Sequence, residues 1–67
     1  MKTEKCLKAF GTSRGIVRLY VSKDVIKTYI VRLYKREDGW NCKLDLECVK
    51  TNFTEATETF SYYKTYI

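Results

Sequence analysis

The sequence predicts an α+β domain, a three- or four-stranded antiparallel meander sheet with one C-terminal helix packed on one face. Three observations carry this. Trp40, Cys42, Leu44, Leu46 and Cys48 alternate with Asn41, Lys43, Asp45 and Glu47, the period-two pattern of a strand with one buried face. Asp38-Gly39, just upstream, suits a tight hairpin turn because glycine tolerates a positive φ. Beyond residue 52 the period changes: Phe53, Ala56, Phe60, Tyr63 and Ile67 recur every three or four residues, as on one stripe of a helix.

The elements follow in chain order. Residues 2–10 read as an edge strand on the alternation of Leu7 and Ala9, although Thr3, Cys6, Leu7 and Phe10 would also share a helical face. Gly11-Thr12-Ser13-Arg14-Gly15 is a turn on either reading. Ile16–Val21 and Val25–Lys35 are rich in β-branched and aromatic residues, the composition of strands. A three-residue turn at Ser22-Lys23-Asp24 sets Val21 opposite Val25 and Val17 opposite Tyr29. The two-residue turn at Asp38-Gly39 sets Leu33 opposite Leu44 and Val31 opposite Leu46. The inward face is then Val17, Leu19, Val21, Val25, Tyr29, Val31, Leu33, Cys42, Leu44 and Leu46. Lys27 and Lys35 also fall inward and must snorkel at the sheet's ends. Asn52 can cap the helix, with Glu55 three residues on. Its threonines are poor helix formers, so the helix needs the sheet to hold it.

The 67 residues are read as a single small domain, residues 1–67. A chain of this size buries only about 60% of its unfolded surface, so a partner would add welcome stability. Charged residues stand near the N-terminus where a signal peptide needs an apolar run, and no apolar stretch is long enough for a membrane span. The expected location is the cytoplasm, or the host cytoplasm if the chain is phage-encoded.

Charge is unevenly spread. The net +5 divides into ten basic groups against Glu4 and Asp24 in residues 1–36, and three basic groups against six acidic ones in residues 37–67. A basic half attracts phosphates or carboxylates.

Chemistry-bearing motifs are sparse. The chain has no histidine, and its three cysteines, Cys6, Cys42 and Cys48, have no C-x-x-C spacing, so no metal is expected. Cys42 and Cys48 lie about 20 Å apart on one strand at the usual rise and cannot bridge each other. All three read as reduced, buried core residues. Ser13, Ser22 and Ser61 have no histidine to activate them, and the three glycines form no phosphate-binding loop. No cofactor and no enzymatic activity are expected.

The outward face is the informative feature. Ile16 is set opposite Ile30 and Tyr20 opposite Ile26, with Arg18, Thr28, Arg32 and Tyr34 beside them. Aliphatic, aromatic and arginine residues with few acids make the composition of an interface core. These eight residues are the candidate partner-binding set. The first reading is therefore a non-catalytic protein-binding module. It would be a small regulator or inhibitor of phage type, docking on a larger acidic or nucleic-acid-handling assembly, with a homodimer through the same face as its variant. The alternative is a basic nucleic-acid binder using Tyr20 and Tyr34 with Arg14, Arg18, Lys23, Arg32, Lys35 and Arg36. Were residues 2–10 helical, the element order would match the outline of a double-stranded-RNA-binding domain. Glu55 and Glu58, however, stand where that family places a basic cluster.

Overall fold

The computed structural model describes residues 4–23, 26–39 and 41–67. Strands β1 (Glu4–Thr12), β2 (Gly15–Lys23), β3 (Lys27–Asp38) and β4 (Asn41–Lys50) form one antiparallel sheet in chain order, followed by helix α1 (Phe53–Lys64). Residues 4–12 are thus a strand, which removes the double-stranded-RNA-binding outline. Val25, assigned inward above, and Trp40, the first residue of the alternating run, lie outside the described residues.

Two of the connections show local chemistry at work. Between β1 and β2 the turn is anchored to the sheet, because the Arg36 amide donates to the Arg14 carbonyl at 2.9 Å. Gly15 is required there by close approach: a Cβ at this position would collide with the Tyr34 carbonyl oxygen and meet Ile67. Gly39 adopts a φ of +54° in the third turn, a conformation that glycine reaches without a steric penalty.

Register differs from the sequence expectation, and the difference has two consequences. The partner of each β2 residue on β3 lies four positions further on, so Val21 faces Tyr29, Val17 faces Leu33 and Ile16 faces Tyr34. The displacement is even, so every side chain keeps its face. Between β3 and β4, irregularities lie at Arg36/Asp38 and at Leu33/Tyr34. Leu33 pairs with Leu46 and Val31 with Cys48, again an even displacement. Asp45 is the extra residue of the second irregularity, so Leu44 pairs with Tyr34 and Cys42 with Arg36. Cys42 and Leu44 therefore belong to the outward face, contrary to the alternation read from the sequence.

The core lies on the inward face of the two central strands. Val17, Leu19, Val21, Tyr29, Val31 and Leu33 pack against Ala56 and Phe60, with Tyr63 and Ile67 at the margin. Ala56 lets the helix approach the sheet closely, and Phe60 fills the space. Burial raises the pKa of the Tyr63 hydroxyl above its ordinary value. Asn52 caps α1, its Oδ1 accepting from the Thr54 amide at 2.7 Å and the Glu55 amide at 3.3 Å. Thr57 and Thr59 turn their hydroxyls onto the Phe53 and Glu55 carbonyls one turn back. Lys27 and Lys35 are inward by register and exposed at the periphery, as snorkelling requires.

The cysteines overturn their assignment. All three are free, but Cys6 and Cys42 are exposed and Cys48 only half-buried. Cys6 pairs with Tyr20 and Cys42 with Arg36, so both lie on the outward face near the sheet's edges, away from the helix.

Candidate functional site

The outward face collects most of the residues singled out in the sequence. Ile16, Arg18 and Tyr20 on β2 and Thr28, Ile30, Arg32 and Tyr34 on β3 share it by register, and none of the described elements lies over it. Ile26 precedes β3 and is 66% exposed. Ile30 is only 8% exposed. It pairs with Tyr20 on one side and Val49 on the other, so the sheet's own side chains shield it. Val49, which the sequence reading passed over, is 57% exposed on the same face. It lies one residue past the alternating run, which ends at Cys48, so the period-two pattern does not mark it.

At the centre, Arg18 and Arg32 stand directly opposite each other. Like charges in that relation repel, and the surrounding groups compensate. Arg32 donates through Nε to Glu47 on β4 at 2.7 Å and through Nη1 to Glu4 on β1 at 3.2 Å. The Glu47 hydrogen bond, with a further contribution from Glu4, holds the Arg32 guanidinium above its ordinary pKa despite partial burial. Its carbon also lies 5.0 Å from the Tyr20 ring centroid, and that of Arg18 lies 5.9 Å from the Tyr34 ring. Arg18 Nη1 donates to the Tyr20 hydroxyl at 3.4 Å, a contact that raises the arginine's pKa. Arg18 is exposed and, among the described residues, has no carboxylate within ion-pair distance.

Beside this cluster is a shallow depression lined by Ile16, Arg18, Tyr34 and Cys42. Cys42 belongs to it because of the β4 irregularity, a displacement that strict alternation cannot reveal.

The six residues of the nucleic-acid alternative do not share one surface. Arg18, Arg32 and Arg36 are outward, Arg14 is in the first turn, and Lys23 and Lys35 have inward register. Lys35 pairs with Asp45 at 3.5 Å. Arg18, Arg32 and Arg36 thus lie on the open face, and Lys5, Lys8, Lys23, Lys27 and Lys35 around the margin of the helix side.

Among the described residues, no cluster of three histidine, cysteine or acidic side chains is placed to hold a metal ion. No helix among them is long and apolar enough to cross a membrane. The chain matches no protein-family model, no curated protein and no solved structure.

Proposed function

We propose that this protein is a non-catalytic binding module, a small regulator or inhibitor whose open sheet face docks on a protein that presents carboxylates within an apolar surface. The observation that carries the reading is the central quartet of Arg18, Tyr20, Arg32 and Tyr34, framed by Ile16, Ile30 and Val49. Arginine and tyrosine beside aliphatic groups are the residue types that dominate binding energy at interfaces. Arg18 is the cation left for a partner's carboxylate, since Glu4 and Glu47 already hold Arg32.

The same geometry favours protein over nucleic acid at this face. Guanidinium groups lie over the Tyr20 and Tyr34 rings, competing with bases for stacking. Glu4 on β1 and Glu47 on β4 place negative charge on both sides of the arginines, where a phosphate chain crossing the sheet would meet it. A second copy of the chain is disfavoured as the occupant, because each copy carries +5 and would set arginine against arginine.

The test is capture of tagged wild-type protein from its native lysate, nuclease-treated and at moderate salt, alongside Arg18→Glu and Ile26→Asp. A stoichiometric protein retained by wild type and lost from both variants supports the reading. Retention by both variants would overturn it, as would release of everything by nuclease or sedimentation of the pure chain as a dimer.

A further inference from the structure

Among the described residues, three pairs of like charges stand directly opposite each other in the sheet: Arg18 with Arg32, Lys35 with Lys43, and Lys23 with Lys27. Such pairs destabilise a sheet unless something offsets them. Glu4 and Glu47 offset the first, and Asp45 offsets the second. The third has no carboxylate within ion-pair distance among the described residues. It stands beside Lys5 and Lys8 of β1 at an open groove on the helix side of about 430 Å³. Leu7, Val21, Tyr29 and Phe53 complete the lining, and among the described residues no acidic side chain contributes to it. Phe53 is 46% exposed, its ring meeting that of Tyr29 edge to face at 5.3 Å. The groove therefore joins an accessible aromatic ring and an apolar floor to a rim of four lysines.

We propose that this groove binds a nucleoside triphosphate, with the base against Phe53 and Leu7 and the phosphates among Lys5, Lys8, Lys23 and Lys27. The volume is on the scale of small-ligand sites. Four ammonium groups suit a polyphosphate, and the anion would relieve the repulsion between Lys23 and Lys27. A free nucleotide fits better than a single strand. The other depression beside α1 is lined by Glu55 and Glu58 as well as Lys50, so a phosphate chain running on along the helix side would meet carboxylates. This site lies on the opposite face of the sheet from the protein-docking surface, and neither depends on the other.

The experiment is calorimetric titration of the full chain with ATP, with tripolyphosphate and with a short oligothymidylate. The variants are Lys23→Gln with Lys27→Gln, Phe53→Ala and Arg18→Glu, each checked for folding by circular dichroism. Wild type is expected to bind ATP more tightly than tripolyphosphate by about tenfold, the size of one base–aromatic stack. The double lysine variant should lose about tenfold or more in affinity for both, through lost charge-assisted hydrogen bonds. Phe53→Ala should erase only ATP's advantage, and Arg18→Glu should change neither. Equal affinity for ATP and tripolyphosphate, or indifference to the lysine substitutions, would overturn the proposal. So would tighter binding of oligothymidylate than of ATP. If Phe53→Ala fails to fold, the comparison of ATP with tripolyphosphate on wild type still decides the role of the base.

Discussion

The two faces of the sheet handle positive charge differently. On the open face, arginines sit at the centre, where Glu4, Glu47 and two tyrosine rings offset their mutual repulsion. On the helix side the centre is apolar, and lysines ring the margin, where among the described residues neither Lys23 nor Lys27 has a carboxylate within ion-pair distance and Lys27 has only the Tyr29 ring, 5.8 Å from its Nζ. The physical reason is the side chain itself. A guanidinium can bond two carboxylates and lie over rings at once, which suits a flat surface crowded with neighbours. A lysine extends its stem past apolar groups and leaves its charge in water, which suits the border of a core. Arginine thus organises one face, while lysine carries the charge at the rim of the other.

Substitutions can break this comparison at several levels. The largest effect is expected at Leu19, fully buried beneath the helix. Leu19→Ala should cost about 2–5 kcal/mol, much of the stability of so small a domain, and urea denaturation would show it. Next comes Ile30→Asp, which sharpens the meaning of "open face". Ile30 is shielded by its neighbours, so a carboxylate there should cost about 1–3 kcal/mol, whereas Ile26→Asp should stay within about 0.5 kcal/mol of wild type. Equal losses at the two positions would show that the face is not graded from centre to rim.

Smaller effects probe the charges. A double-mutant cycle on Arg32 and Glu47 should give a coupling of about 0.2–1 kcal/mol, since the pair is partly exposed and salt will weaken it. Replacing Lys23 by glutamine should do the reverse and stabilise the protein by a few tenths of a kcal/mol, about the size of a cross-strand pair term, at low salt. A loss of stability in that variant would mean the lysine rim contributes to the fold instead of straining it.

Much of this arrangement was legible in the chain. Alternation in residues 16–21 and 25–35 identified the buried set Val17, Leu19, Val21, Tyr29, Val31 and Leu33, because even register displacements leave parity intact. The three-and-four spacing of Ala56 and Phe60, with Asn52 before them, located the helix and its cap. What could not be read was set by backbone irregularity and by long-range charge. No local signal marks Asp45 as the extra residue that turns Cys42 and Leu44 outward. The bond from Arg32 to Glu4 joins residues 28 apart in sequence across an intervening strand. The lysine groove has no local signature for the same reason: Lys5 and Lys8 reach Lys23 and Lys27 only once β1 has paired with β2.

The cysteines supply the most direct measurement of the central claim, that the arginine–tyrosine face is the docking surface. Cys6 and Cys42 are exposed on that face, and Cys48, paired with Val31, is half-buried on the helix side. Alkylation of the three thiols would be timed by mass spectrometry for the chain alone and for its complex with the captured protein. Docking as proposed should slow labelling of Cys6 and Cys42 and leave Cys48 at its rate in the free chain. Unchanged labelling of Cys6 and Cys42, or protection confined to Cys48, would place the partner elsewhere and contradict the account.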